Sequence, residues 1–145
     1  MKNKLFIVGF FSLLSHAQIF EPNNFVPSVD ESFVLSVKHE SPHIVVDFQL
    51  LPDTYIYLNK INLEDSISSK IYFELLGKKK EIEDLFFGLT EIIDTNFKIK
   101  FSPGYEKKIL LNYQGCFKNK VCYASKIKNI HIKYNKKSIS SVKIK

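Results

Sequence analysis

The sequence predicts an all-β protein that folds as one antiparallel β-sandwich. Three observations lead to this prediction. The chain is rich in β-branched and aromatic residues, and these form about seven to nine short runs separated by turn residues, as in sandwich proteins. No stretch has a sustained helical period with capping residues. A length of 145 residues suits one domain with a genuine core, and the sequence contains no internal repeat.

The amino terminus predicts a secretory signal peptide over residues 1–17. Met1–Lys4 is basic and is followed by the apolar stretch Leu5–Leu14, and Ser15 and Ala17 then offer small residues at the −3 and −1 positions of a cleavage site. The apolar stretch is too short to span a bilayer. We therefore expect residues 18–145 to form an exported domain with no membrane span of its own, in a compartment where a disulfide persists.

The mature chain is predicted to begin with an extended arm and to continue as a series of strands. Ile19–Pro27 contains two prolines and is the predicted arm. The alternation of apolar and other residues over Ile44–Leu50 is typical of a half-buried strand. The segment Glu81–Gly88 is predicted to be a loop, and its two adjacent phenylalanines indicate that it covers something. The other predicted strands are Phe33–Val37, Tyr55–Leu58, Ile71–Leu76, Phe97–Phe101, Ile109–Tyr113, Ile130–Tyr134 and Ile139–Ile144.

The only two cysteines, Cys116 and Cys122, are predicted to face each other in a β-hairpin. Strand-like runs Lys108–Phe117 and Val121–Lys128 flank the polar triplet 118–120, which suits a three-residue loop. Opposed residues in either antiparallel register lie close enough for a disulfide. Such a loop usually contains one left-handed residue, so Asn119 or Lys120 must adopt that conformation, and Asn tolerates it better.

The spacing of the cysteines leaves the purpose of the disulfide open. In the chain-entropy model a ring of about seven residues stabilises a fold by only about 2.4 kcal/mol, against about 4.7 kcal/mol for a ring of a hundred. The bond is therefore poorly placed as a structural link. Two-cysteine exported domains nevertheless often oxidise for stability alone. Both a structural bridge and a redox centre are compatible with this pattern.

Other chemistries have little support in the sequence. His16 leaves with the signal peptide, and His39, His43 and His131 have no spacing typical of metal ligands, so we expect no metal. Loss of Lys2 and Lys4 lowers the net charge from +6 to +4. The basic residues are all lysines spread over strand-like segments, which favours a solvated face and no nucleic-acid partner.

Four groups of residues occur in the order found in a known family. They are Phe25–Pro27 with Asp30 and Phe33, Tyr55–Tyr57, Asp84–Gly88 with Glu91 and Ile92, and Tyr113–Cys116 with Cys122 and Tyr123. Over nearly the whole mature chain they resemble the periplasmic N-terminal domain of the thiol:disulfide interchange protein DsbD. The cysteine hairpin is the most specific part of this resemblance.

The resemblance implies an immunoglobulin-like antiparallel β-sandwich with a cysteine-bearing hairpin and a cap loop. It implies a periplasmic protein-disulfide reductase that acts as one component of a relay. Such a domain takes reducing equivalents from a membrane electron donor of DsbD type and passes them to thioredoxin-fold periplasmic proteins, including those of cytochrome c biogenesis. The printed sequence has no transmembrane part, so we expect the donor to be a separate polypeptide. The Cys116–Cys122 disulfide would be the redox group, with no other cofactor.

The resemblance also assigns roles to individual residues. Cys122 would form the mixed disulfide with a partner, and Cys116 would resolve it. Phe86 would cap the sulfurs. The other residues expected to line or support the site are Tyr55, Tyr57, Asp84 and Phe87.

This chain departs from the family pattern at several positions. Leu85 stands where the family usually has an acid, and Lys120 replaces the hairpin glycine. Ala124 and Ser125 replace prolines that often follow the second cysteine. These differences keep a second hypothesis open, in which the chain is a non-catalytic immunoglobulin-like binding module whose disulfide is structural.

Overall fold

The computed structural model describes residues 25–145, so the predicted signal peptide and most of the predicted arm lie outside the described residues. The elements are α1 Val29–Ser32, β1 Phe33–Glu40, β2 His43–Leu50, β3 Thr54–Tyr57, a 3-10 turn Leu58–Lys60, β4 Asn62–Glu64, β5 Lys70–Ile71, β6 Glu74–Leu76, β7 Lys80–Asp84, β8 Gly88–Ile93, β9 Phe97–Phe101, β10 Lys108–Tyr113, β11 Gly115–Phe117, β12 Val121–Cys122, β13 Lys126–Asn135 and β14 Ser138–Ile144. In this part of the chain no helix has the length and apolarity to cross a bilayer.

The strands form three antiparallel sheets. The first has the order β1-β2-β9-β6, the second β14-β13-β10-β4-β5, and the third β12-β11-β3-β8-β7. The first two sheets enclose the main core, to which inward-facing residues of both contribute, such as Phe48 and Ile99 from the first and Leu111 and Ile130 from the second. The predicted antiparallel β-sandwich is confirmed.

The third sheet carries the cysteines and is continuous in sequence with the second. Strand β10 runs through Gln114 into β11, and β3 runs through the 3-10 turn into β4. The backbone N–H of Tyr57 donates to the carbonyl of Gln114 at 3.0 Å, where the two strands pass from one sheet to the other. Through these two crossings the rigid core fixes where the cysteine hairpin lies.

Three local predictions need correction. Glu81–Gly88 is a β-hairpin, since β7 continues to Asp84, β8 begins at Gly88 and only three residues form the turn. Ile82 alternates with exposed glutamates and packs on the cluster of Tyr57, Ile92 and Cys116, which makes the segment a strand. The predicted strand Ile71–Leu76 is divided between two sheets, since β5 and β6 belong to different ones. The predicted arm is followed by the one-turn helix α1, which begins with a capping box of Ser28 and Glu31.

Gly115 allows the closest backbone approach beside the cysteines. A Cβ at this position would lie 2.3 Å from the carbonyl oxygen of Tyr55 and 2.7 Å from the ring of Phe33. Tyr55 lies on β3, which pairs with β11, so the obstacle on that side is backbone that cannot rotate away. Glycine is therefore required for β3 and β11 to pair at this distance.

We expect Gly115→Ala to lower the free energy of unfolding by about 2 kcal/mol or more, because the added methyl must push two paired strands apart. Urea unfolding of the oxidised protein measures this. Gly104→Ala is the matched control, since its Cβ would meet only the carboxylate end of Glu106, a flexible group. Equal losses in the two variants would contradict the expectation.

Candidate functional site

Cys116 and Cys122 are joined by a disulfide in the β11–β12 hairpin. They are directly opposed, with Cα atoms 4.0 Å apart. The neighbouring N–H of Tyr123 donates to Gly115 at 3.0 Å, so the cysteines occupy the non-hydrogen-bonded and closer position of the ladder. Asn119 has a φ of 59° and is the left-handed residue of the loop, which confirms the choice of Asn over Lys120.

The two cysteines differ in their exposure to solvent. Cys116 is 1% exposed and packs with Tyr57 and Ile92, whereas Cys122 is exposed. Both cysteines line one cleft between the β11–β12 hairpin and the β7–β8 hairpin. A thiol or disulfide of another protein can therefore reach Cys122 directly, whereas Cys116 is reached only through Cys122 or after a movement of its cover.

Tyr57 lies at the centre of the site. Its hydroxyl oxygen is 3.2 Å from the sulfur of Cys116 and 3.8 Å from that of Cys122. It donates to Oδ2 of Asp84 at 2.7 Å, so its single proton is directed away from the sulfurs. The neighbouring Tyr55 donates to the same oxygen at 3.2 Å. The oxygen lone pairs of Tyr57 are thus free to accept a hydrogen bond from a reduced Cys116 thiol.

Asp84 accepts four hydrogen bonds and joins the tyrosine strand to the opposite hairpin. While Oδ2 accepts from the two tyrosines, Oδ1 accepts from the backbone N–H groups of Phe86 and Phe87, at 2.8 and 3.1 Å. One carboxylate therefore holds both the hydroxyl that touches Cys116 and the turn that closes β7 onto β8.

The ionisation of these groups follows from their contacts. Burial would raise the pKa of Asp84, but hydrogen bonds from Tyr57, from the two backbone amides and from Tyr55 outweigh it and hold the pKa below its usual value. Burial, together with hydrogen bonding to Asp84 and Tyr55, raises the pKa of Tyr57 well above its usual range. At neutral pH the site therefore contains one carboxylate and two neutral phenols.

The two phenylalanines of the turn have different environments. We call Leu85–Phe87 the hairpin tip. Phe87 packs edge-on against Tyr57, with ring centroids 4.9 Å apart, and the ammonium of Lys60 lies 4.6 Å from the Phe87 centroid. Phe86 lines the cleft with the cysteines but is 75% exposed, and Leu85 is 99% exposed. The contacts of Phe87 therefore attach the tip to the site, while Phe86 projects beside it.

The structure thus brings together Cys116, Tyr55, Tyr57, Asp84 and Phe87 in direct contact, with Phe86 and Cys122 along the same cleft. The sequence reasoning missed Lys60 and Ile82. Ile82 could have been found from its alternation with Glu81 and Glu83. Lys60 carries no local signal, because its contact with Phe87 joins distant parts of the chain. Among residues 25–145 no group of three or more His, Cys, Asp or Glu side chains is arranged to hold a metal ion.

Comparisons with known proteins identify the family of this chain. The model of the family described as "Thiol:disulfide interchange protein DsbD, N-terminal" matches residues 23–133. The chain belongs to this family. The chain is also similar to the thiol:disulfide interchange proteins DsbD of Vibrio cholerae, 28% identical over 113 residues, and of Colwellia psychrerythraea, 24% identical over 115 residues. Each alignment covers 76% of this chain but only 18% of the relative, so the chain spans less than a fifth of the length of these relatives.

Solved structures of DsbD N-terminal domains share the fold. The Neisseria meningitidis DsbD N-terminal domain in the reduced form superposes with a TM-score of 0.66 at 24% identity, covering 78% of this chain and 93% of that one. A complex between the DsbD and PilB N-terminal domains of the same organism gives a TM-score of 0.62, also at 24% identity, with 78% and 91% coverage. This DsbD N-terminal fold is immunoglobulin-like, which agrees with the architecture implied by the sequence resemblance.

We expect the hydrogen bonds to Asp84 to make stability depend on pH. A lowered folded-state pKa means that the carboxylate stabilises the fold above its unfolded pKa of about 3.9, and that this contribution disappears as the pH falls through the lower folded value. Asp84→Asn retains an acceptor for the backbone amides but cannot titrate. The free energy of unfolding of the wild type relative to Asp84→Asn should therefore decline below about pH 4. A difference that is constant with pH would contradict this.

We expect Phe87→Ala to expose Cys116 more than Phe86→Ala does. Loss of the Phe87–Tyr57 packing, worth about 1 kcal/mol, should favour local opening of the β7–β8 hairpin about fivefold. The test measures iodoacetamide alkylation of Cys116 in a Cys122→Ser background. Faster alkylation in Phe86→Ala than in Phe87→Ala would instead support Phe86 as the cap over the sulfurs.

Proposed function

We propose that this domain is a periplasmic protein-disulfide reductase that passes electrons to thioredoxin-fold proteins through Cys122 and Cys116. The single observation that carries the proposal is that Cys122, an exposed residue, is bonded to Cys116, a buried one. A disulfide of this kind offers one sulfur to a partner and reserves the other for the second step. Family membership supports the same chemistry, since the family is that of a thiol:disulfide interchange protein.

The reaction begins with the reduced form of the domain. The thiolate of Cys122 attacks one sulfur of the partner's disulfide, forming a mixed disulfide, and the partner's second sulfur leaves as a thiolate that takes up a proton. The Cys116 thiolate then attacks the Cys122 sulfur. This step forms the Cys116–Cys122 disulfide and releases the partner's first sulfur as a thiol. Two electrons and two protons pass from the domain to the partner.

The surroundings of Cys116 suit its role as the resolving residue. The negative charge of Asp84 lies behind Tyr57, and the Tyr57 oxygen can accept from the Cys116 thiol. Both features favour the protonated thiol over the thiolate while no partner is bound. A protonated thiol is a poor nucleophile, so Cys116 stays unreactive until a mixed disulfide has formed at Cys122.

Export and a separate electron source complete the proposal. The predicted signal peptide over residues 1–17 would deliver the domain to the periplasm. There a membrane electron donor of DsbD type would reduce the disulfide again. The complex of a DsbD N-terminal domain with the PilB N-terminal domain supports the idea that such domains dock other proteins.

We expect Cys116→Ser to accumulate mixed disulfides with thioredoxin-fold periplasmic proteins. Cys122 can still form the mixed disulfide, but the variant has no second thiol that could attack it and release the partner. Non-reducing electrophoresis with mass spectrometry identifies the adducts. Cys122→Ser is the matched control, and its buried Cys116 should trap little.

Absence of adducts in Cys116→Ser would favour the alternative, a binding module with a structural disulfide. A redox titration distinguishes the same two possibilities. A midpoint far below about −300 mV would mark a structural bond that the cellular thiol pool does not reduce.

A further inference from the structure

The strand that carries Cys122 has little sheet structure to hold it. Strand β12 contains only Val121 and Cys122, and it is the edge strand of its sheet, paired on one side with β11. In the oxidised state the disulfide fixes Cys122 against Cys116. After reduction that bond is gone, so other contacts must keep the two sulfurs within reach.

The residue that follows Cys122 makes those contacts with its backbone and its side chain. The N–H of Tyr123 donates to the carbonyl of Gly115 at 3.0 Å, and its own carbonyl accepts from Nε2 of Gln114 at 3.1 Å. Its ring packs edge-on against Phe33, with centroids 5.8 Å apart. Tyr123 is thus bound to core residues immediately beside the sulfur-bearing strand.

The hydroxyl of Tyr123 makes two further hydrogen bonds to the segment before β1. It donates its only proton to the carbonyl of Pro27 at 2.8 Å, so the hydroxyl of Ser32, 2.7 Å away, must be the donor in their shared bond. Pro27 and Ser32 are both buried. Loss of the phenol oxygen would leave a buried carbonyl and a buried hydroxyl without their partner.

The segment that binds this hydroxyl is itself held in place. Asp30 forms ion pairs with Lys126 at 2.9 Å and Lys128 at 2.7 Å, and these hydrogen bonds lower the pKa of Asp30. Ser32 leads directly into Phe33 of the core. The hydroxyl of Tyr123 is therefore bound to a segment that is itself attached to strand β13 and to the core.

We propose that Tyr123 is a positioning residue that keeps the reduced Cys122 close to Cys116 and so sets the equilibrium between dithiol and disulfide. Holding the Cys122 thiol beside the Cys116 thiol raises the effective concentration of each thiol at the other. This favours formation of the disulfide. Without the phenol hydroxyl the reduced hairpin becomes looser, whereas the oxidised hairpin is still held by the disulfide. Closing the disulfide then costs more entropy, and the domain becomes easier to reduce.

This inference rests on the proposed function for its biological meaning, but a small dithiol measures it without any protein partner. In the exchange with dithiothreitol, the Sγ–Sγ bond breaks, the cyclic disulfide of the reagent forms, and two electrons and two protons move to the cysteines. For Tyr123→Phe we expect the equilibrium constant for closing the Cys116–Cys122 bond to fall at least about threefold. For a two-electron couple this raises the midpoint potential by about 14 mV.

Tyr134→Phe is the matched control. The hydroxyl of Tyr134 likewise contacts two hydrogen-bonding groups of another segment, in its case the backbone carbonyls of Gly104 and Glu106. Tyr134 lies in a different sheet from the cysteines. Both substitutions remove one phenol oxygen, so a general loss of stability should appear in both. Only Tyr123→Phe should shift the potential.

A shift in Tyr123→Phe no larger than in Tyr134→Phe would overturn the proposal. If Tyr123→Phe does not fold, Ser32→Ala removes one of the two hydrogen bonds of the Tyr123 hydroxyl and leaves the bond to Pro27 in place. The potential should then rise by a smaller amount than expected for Tyr123→Phe, and an unchanged potential overturns the proposal. The failure of the proposed function is a separate result, since it would appear as missing adducts in Cys116→Ser while the potential of Tyr123→Phe still shifts.

Discussion

The rest of the site depends on the hydrogen bonds that the carboxylate of Asp84 accepts. Four hydrogen bonds end on its two oxygens, two from tyrosine hydroxyls and two from backbone amides. The first pair directs the Tyr57 proton away from the sulfurs, and the second pair shapes the hairpin tip. Because hydrogen bonds to a charged acceptor are stronger than neutral ones, this single group can hold strand β3 and the β7–β8 hairpin together.

The disulfide itself is protected on one side and open on the other. Cys116 lies under Tyr57 and Ile92, while Cys122 projects from an edge strand of two residues. A bond intended only to stabilise the fold gains nothing from such asymmetry. In thiol–disulfide exchange the asymmetry decides which sulfur a partner can reach, because attack requires access along the S–S axis.

Two of the departures from the family pattern have a structural explanation. Lys120 can replace the hairpin glycine because Asn119 adopts the positive φ, and the Lys120 ammonium lies 4.9 Å from the ring centroid of Phe117. Leu85 is almost fully exposed at the hairpin tip, beside the cleft that contains both cysteines. The tip therefore presents an apolar side chain, and not a charge, beside that cleft.

The sequence by itself determined the features that depend on residues close together in the chain. Runs of β-branched and aromatic residues predicted most strands, and the six-residue spacing of Cys116 and Cys122 around a polar triplet predicted that they oppose each other. Only the tertiary structure decided which cysteine is exposed, that Asp84 binds Tyr57 across 27 residues, and that Phe87 packs while Phe86 projects. Burial and long-range hydrogen bonds arise from the packing of separate hairpins, and a local pattern carries no information about which residues of distant strands will meet.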